Sequence, residues 1–341
     1  MDGVTLKQLA QELNISVSTV SRALNGKNVV KEETKALVLK AAKKYSYMPN
    51  EVARSLQKNS TNTVAVVLPD ISETFFGTIV NEIDRLVTPQ GYMIILTDTH
   101  EDVEKERKYL NMLLARRVDA LILATVDSNG DAVSRYMENN IPVIFIDNMP
   151  GVSEIDAVTI DNKKASKLAI EHLISHGHKK IAVISGSEKE TTGAERLAGY
   201  IEALNENHIP VDESLIMYGN YKQESAYHLM GQLLQSYKEH PFTAVYAVSE
   251  KMTYGVIQAI EEQGLKIPED ISVVGFDIHN TGMEPRMKIT SIRQPEIEIG
   301  RKVGEVLLDR LNNSASDDEN VKHDRLLLEP FLEEGETVRR V

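Results

Sequence analysis

From residue 63 onward the chain alternates strand-length apolar runs with amphipathic helical stretches, and this alternation narrows its possible folds more than any other feature. Residues 64–68, 92–96, 120–124 and 142–146 are near-continuous apolar runs, separated by helical patterns near 74–88, 101–115 and 130–140. A second series has runs at 180–184, 215–217, 244–247 and 271–275. Runs that are apolar at every position predict strands covered on both faces, and hence parallel sheets with helices on each side. Two such series predict two similar lobes. In open sheets of this kind, ligand-binding groups gather in the crevice beyond the carboxyl ends of the strands. Three segments fall there: 69–76 with Asp70, Ser72 and Phe76, 186–196 with Glu190, Thr192 and Arg196, and Phe276 with Asp277.

The sixty residues before this alternation differ in charge. They hold ten basic residues, Arg22, Lys40 and Arg54 among them, and five acidic ones, a net of +5 in a chain whose total is −13. The remainder therefore carries 28 basic against 46 acidic residues, a net of −18. So acidic a chain is repelled by phosphate, and a local basic module is how it could still bind nucleic acid.

Thr5 and Gln8 have the spacing of a capping box, and Leu6, Leu9, Ala10 and Leu13 follow as one helical stripe. Asn14 tolerates the left-handed backbone of a tight turn. Ser16 can cap a second helix over 17–24, with Val20 and Ala23 or Leu24 inward and Val17, Ser18, Ser21 and Arg22 outward. Two short helices joined by a tight turn have helix-turn-helix geometry. A third helix fits 32–45, with Leu37, Val38, Ala41, Ala42 and Tyr45 as its inner face. Asn50 can cap a helix of only about seven residues, too short to be stable alone in water. A polar linker follows over 58–63.

Several chemistries are excluded or unsupported. With no cysteine, disulfides, thiolate metal sites and a cysteine nucleophile are ruled out. There is no HExxH, no phosphate-binding loop and no G-x-S-x-G elbow, and the nine histidines are scattered. The reading is of a protein that is not an enzyme and uses no metal or cofactor. The longest apolar runs are strand-length, and the first residues lack the basic start and apolar stretch of a signal peptide. A cytoplasmic protein is expected.

Thr19, Val20, Ser21 and Arg22, Leu24 with Asn25, Tyr47 with Pro49 and Asn50, and Ala53, Arg54, Ser55 and Leu56 together match the signature of the lactose/galactose-repressor (LacI/GalR) family, which the chain resembles along its whole length. Asn14 stands where glycine is common in that family, and Lys31 where a serine cap is common. The resemblance implies an all-α helix-turn-helix headpiece joined to a type I periplasmic-binding-protein-like α/β core of two lobes with parallel sheets. It also implies a homodimeric transcriptional repressor that binds a palindromic operator. Val17, Ser18 and Arg22 then occupy base-reading positions. Ser16, Thr19, Ser21 and Asn25 occupy phosphate-contacting ones, with Thr5, Asn28, Tyr47, Asn50, Ala53 and Arg54 further candidates at the DNA. Leu56 would wedge a base step apart from the minor groove.

For the core, the resemblance implies that Arg196 and Asp277 hold sugar hydroxyls or a purine edge, and that Tyr221 and Phe76 pack on the ligand face. Asp70, Ser72, Glu190, Thr192 and Glu250 are further effector-binding candidates. Glu250 departs from the aspartate or Asn-Asp usual at its strand end, and Glu190 stands where a purine-binding relative has a basic residue. The implied effector is a sugar or sugar phosphate, and some relatives respond instead to a phosphorylated carrier protein. Three crossings between lobes are implied, near Asp161 and Asn162, near 291–294 and near 321–324. The expected division is thus a headpiece over 1–48, a hinge over 49–62, an N-terminal lobe of 63–162 plus 292–322, and a C-terminal lobe of 163–291 plus 323–341.

Overall fold

The computed structural model describes residues 4–24, 30–47, 60–127, 130–151, 155–237, 239–279, 287–313 and 323–341. The chain divides into two compact units, Met1–Thr61 and Asn62–Val341.

The first unit is a small helical body. Helix α1 (Leu6–Glu12) starts at Thr5, whose hydroxyl accepts from the Gln8 amide while the Gln8 side chain accepts from the Thr5 amide, a complete capping box. Asn14 turns the chain at φ +50°, and α2 (Val17–Leu24) begins after Ser16, whose Oγ accepts from the Thr19 amide at 3.1 Å. Helix α3 (Glu32–Lys44) has Lys31 at its N-cap with no side-chain cap bond. Leu9, Ala10, Val20, Ala23, Val38 and Ala41 form the core, with Ala42, Tyr45 and Tyr47 packed against it. Leu37, expected on the inner face, is 49% exposed. Buried Val38 and Ala41, three residues apart, set the face of α3 that turns inward, and Leu37 falls outside it. The Tyr45 hydroxyl donates to Glu12 Oε1 at 2.6 Å and ties α3 to α1.

The second unit contains two six-stranded sheets. The first has the order β11-β5-β4-β3-β1-β2, from β1 (Thr63–Leu68), β2 (Met93–Asp98), β3 (Ala120–Leu123), β4 (Val143–Ile146), β5 (Asp156–Ile160) and β11 (Arg325–Leu328). All its pairings are parallel. The second has the order β12-β10-β9-β8-β6-β7, from β6 (Ile181–Ser185), β7 (Ile216–Tyr218), β8 (Ala244–Ala247), β9 (Ser272–Phe276), β10 (Thr290–Arg293) and β12 (Phe331–Glu333). Only β12 runs antiparallel there. Every residue of β1, β3, β4, β5, β6, β8 and β9 is buried, as the continuous apolar runs require of strands covered on both faces.

Helices α4 (Thr74–Val87), α5 (Val103–Ala115), α6 (Asp131–Glu138) and α11 (Glu296–Asn313) belong to the first lobe. Helices α7 (Asn162–Ser175), α8 (Thr191–Glu206), α9 (Gln223–Gln235) and α10 (Glu250–Glu262) belong to the second. The α4–α11 contact is close enough to need a glycine, since a Cβ on Gly300 would lie 2.7 Å from the Ile79 carbonyl oxygen. In both sheets strand order reverses beside the first strand, at β1 and at β6, so each lobe has a switch point opening on the same crevice.

Two lobe boundaries differ from the expected ones. Ser291, Ile292 and Arg293 pair within the second sheet, so that crossing follows Arg293 at Gln294 and Pro295. Residues 325–328, expected in the C-terminal lobe, pair in parallel with Ala157–Ile160 in the first sheet. The last crossing is therefore at Glu329 and Pro330, not at 321–324. Proline, lacking an amide hydrogen, ends one ladder before the chain enters the other. Asp156 fixes this edge: its carboxylate accepts from Arg310 Nε and Nη2, both at 2.8 Å, and from the Asp324 amide at 2.7 Å. No helix among the described residues is long and apolar enough to cross a membrane.

Candidate functional sites in the headpiece and the interlobe cleft

On the headpiece, α2 carries Val17, 43% exposed, with Ser18 and Arg22 also exposed and Thr19 and Ser21 half-buried. Ser16 shares hydrogen bonds of 2.8 Å with the hydroxyls of both Ser18 and Thr19, so the start of α2 is a cluster of positioned hydroxyls. Tyr47 is half-buried against the headpiece core, and Thr5 is engaged in its capping box. Asn25, Asn28, Asn50, Ala53, Arg54 and Leu56, the remaining expected DNA-binding residues, lie outside the described residues.

The second unit encloses a cleft of about 400 Å³ between its lobes, within the range of small-molecule sites. Its walls are the segments after β1, β2, β3 and β4 on one side and after β6, β7, β8, β9 and β10 on the other. Of the nine residues expected to bind an effector, Phe76, Glu190, Thr192, Arg196, Tyr221, Glu250 and Asp277 line it. Asp70 and Ser72 do not. The Asp70 carboxylate turns back on its own loop, accepting from the Ser72 amide at 2.7 Å and the Ser72 hydroxyl at 2.6 Å. It also ion-pairs across the lobes with Lys251 of α10, whose ammonium is 3.6 Å from Glu73.

Arg196 on α8 is the most firmly held group. Its Nε donates to Asn162 Oδ1 at 2.8 Å, its Nη1 to the Val248 carbonyl at 2.8 Å, and its guanidinium lies 3.8 Å over the Phe276 ring. Nη2 is 3.8 Å from Asp147 Oδ1 in the opposite lobe. Asp277 accepts from the Gln294 amide at 3.1 Å and the Gln294 side chain at 2.7 Å. Burial pushes the Asp277 carboxyl up to about 6. Tyr221 stands against Gly186, where a Cβ would come within 2.3 Å of the ring, and shares a 2.8 Å hydrogen bond with the Thr192 hydroxyl.

Several groups found here had not been expected. Asn148, after β4, accepts from the Thr192 amide and hydroxyl and donates to Glu190 Oε2 at 3.0 Å, while the Thr191 hydroxyl donates to the Met149 carbonyl at 2.6 Å. These bonds join the lobes separately from the Lys251–Asp70 ion pair. Glu73 and Glu101 add carboxylates from the first lobe. Burial lifts Glu73 to about 8 and Glu190 to about 7, with Asp147 and Glu101 adding repulsion at both. Arg107 clamps Asp127 at 3.0 and 3.1 Å, and buried Glu106 pins the neighbouring turn by accepting from the Thr125 hydroxyl and the Val126 amide. Glu101, Asp147, Tyr221 and Asp277 all have φ between +54° and +59°, a sparsely populated conformation that collects at functional sites. Strand ends were the available signal: Glu101, Asp127, Asp147 and Asn148 all follow strands, as the expected residues do.

A helix-turn-helix headpiece and a two-lobed α/β core with a polar interlobe cleft define a ligand-responsive DNA-binding regulator. Residues 5–50 match the bacterial regulatory proteins of the lacI family, and residues 61–329 match the periplasmic binding proteins and sugar binding domain of the LacI family. The HTH-type transcriptional repressor PurR of Klebsiella pneumoniae subsp. pneumoniae is 33% identical over 97% of both chains. Catabolite control protein A of Priestia megaterium is 34% identical over 92% of this chain and 94% of its own. The lac repressor dimer bound to operator and the anti-inducer ONPF is 26% identical, covers 99% of this chain and 100% of its own, and superposes with a TM-score of 0.85. The chain belongs to the LacI family of transcriptional regulators.

Proposed function

We propose that this regulator is a homodimeric repressor whose hold on a palindromic operator is set by a sugar-sized effector in the interlobe cleft. The observation that carries the effector half is the convergence of Arg196, Asp277, Tyr221 and Glu190 on a cleft at the switch points of both sheets. The sugar-binding description matched by residues 61–329 supports a polyhydroxylated ligand. Hydrogen bonds and an ion pair already join the lobes, so a ligand there acts on lobe closure through its differential affinity for two arrangements.

On the DNA, Val17 offers apolar contact to a thymine methyl, Arg22 pairs with guanine, and Ser18 completes the reading face. Ser16, Thr19, Ser21 and Asn25 set register on phosphates. Thr5, Asn28, Tyr47, Asn50, Ala53 and Arg54 support the headpiece and hinge at the duplex, and Leu56 wedges a base step. Because the helix expected after Asn50 has only about seven residues and would be marginal alone, its folding is the natural point at which cleft and operator communicate. The test is anisotropy of a palindromic duplex selected from random sequence. Salt-sensitive binding that shifts with a cleft ligand is expected, and absence of binding to any duplex overturns the reading.

A further inference from the structure

The charge of the cleft narrows the effector beyond sugar size. Among the described residues, seven carboxylates and three cationic side chains line it. Two of the three cations are committed, Arg107 to Asp127 and Arg196 to Asn162, the Val248 carbonyl and the vicinity of Asp147. The third, Lys189, is an exposed side chain on the rim loop. Lys251, beside the cleft, is held by Asp70 and Glu73. Glu101 makes no ion pair within 4 Å among the described residues and feels only the more distant Lys251 and Lys222. Glu190 accepts a hydrogen bond from the neutral amide of Asn148, with Arg196 acting on it through space. These two carboxylates line the cleft from opposite lobes, and the charge of Glu101 raises the proton affinity of Glu190.

Aromatic surface lines the same cleft. Phe75 and Phe76 form an edge-to-face pair with centroids 5.0 Å apart on the cleft wall, and Tyr221 stands on the other side. Carboxylates together with ring faces recognise a positively charged nitrogen, through charge-assisted hydrogen bonds and cation–π attraction. A phosphate there would meet a surplus of negative charge and no uncommitted guanidinium. Nor does a neutral polyol relieve the repulsion between the two lobes' carboxylates.

We infer that the effector presents a cationic amine to Glu190 and Glu101, as an amino sugar or a related small amine does, and is not a sugar phosphate. This rests on the reading of the cleft as the effector site. An ammonium bound there neutralises carboxylates from both lobes at once and so draws the lobes together.

The test uses the full chain and matched ligand sets on one scaffold: D-glucose, D-glucosamine and D-glucose 6-phosphate, with the galactose and mannose counterparts and putrescine as a scaffold-free amine. Calorimetry and thermal shift are read for each. The expected result is an amine that binds at least about tenfold more tightly than its neutral and phosphorylated counterparts, the worth of roughly one charge-assisted contact. Glu190→Gln and Glu101→Gln should each weaken that amine by about tenfold, with cooperative melts showing that both variants fold. A neutral or phosphorylated member binding as tightly as the amine overturns the inference but leaves the effector-site reading standing. No amine binding at millimolar concentration while a neutral or phosphorylated member binds also overturns it. Binding by no small molecule, with salt-sensitive duplex binding retained, removes the effector-site reading instead.

Discussion

Lys251 and Asp70 form an ion pair between helix α10 of one lobe and the loop after β1 of the other. Neither side chain is fully buried, at 26% and 23% exposure, so the pair is worth at most about 1 kcal/mol after solvent screening. That is enough to shift an equilibrium between open and closed lobes by about fivefold.

Lys251→Met should therefore widen the interlobe distance distribution of the effector-free protein. The chain has no cysteine, so one spin label can be placed on each lobe and the distance read directly. An Asp70→Lys, Lys251→Asp double variant should bring the distribution back towards the parent. An unchanged distribution in Lys251→Met would show that the pair does not hold the lobes.

Asp277→Asn tests the far wall of the cleft. The substitution keeps the size of the side chain but removes the charge that accepts two hydrogen bonds from Gln294. The effector concentration for half-maximal change in operator binding should rise by tenfold or more, since charged hydrogen bonds are worth about 1.5–3 kcal/mol. A dose response superimposable on the parent's would take Asp277 out of the site.

Two headpiece substitutions should separate reading from bending. Arg22→Ala should cost about 1–3 kcal/mol on the selected operator and relax preference at one base pair, as loss of a bidentate guanine contact does. Leu56→Ala should weaken specific binding far more than non-specific binding, because the wedge acts only where a step is unstacked. Equal losses on both duplexes would refute the wedge.

Asp156→Ala should destabilise the core by about 3 kcal/mol or more, since it leaves the half-buried Arg310 guanidinium without its bidentate partner and frees the Asp324 amide. Urea denaturation measures this, and a loss below about 1 kcal/mol would mean that the edge strand β11 is held by its ladder alone.

Stability should fall as pH rises from about 5 to about 8. Glu73, near 8, and Glu190, near 7, have folded-state values raised mainly by burial, so the folded protein binds more protons than the unfolded chain across this window. Their contribution is fully present below the ordinary carboxylate range and lost as pH passes the raised values. The neighbours that set Glu73 are Lys251, Asp147, Asp70 and Glu101; those that set Glu190 are Asn148, Asp147, Glu101 and Arg196. Glu190→Gln should flatten the upper part of the melting-temperature profile. An equal slope in parent and variant would place the titration elsewhere.

The parallel core was legible because residues 64–68 and 244–247 are apolar at every position, a pattern that only a doubly covered strand needs. The capping box at Thr5 and the turn at Asn14 were legible for local reasons, since both are decided within a few residues. Strand β11 was not. Its burial alternates, with Leu326 and Leu328 half-buried and Leu327 64% exposed, and nothing in so short an edge segment says which of two similar sheets it joins. That choice is made by Asp156 and Arg310, more than 150 residues apart in sequence.

In the cleft, Arg196 and Asp277 were legible from their place beyond strand ends, and the family resemblance gave them roles, whereas Asp147, Asn148 and Glu101 follow other strands and carry no such signature. Asp70 shows the opposite error. It follows a strand, but its carboxylate is taken up by Ser72 and Lys251, so position at a strand end selects candidates without saying which way the side chain turns.

Strands β11 and β12 lie on different sheets with only Glu329 and Pro330 between them. Neither lobe is thus a continuous stretch of the gene, because each is built from two segments separated by sequence of the other. Recombination that exchanged one lobe alone would have to cut the reading frame at three places or more and rejoin all of them in register. New ligand preferences in a protein built this way are therefore reached by point substitution on the cleft walls, or by replacing the whole core behind an unchanged headpiece.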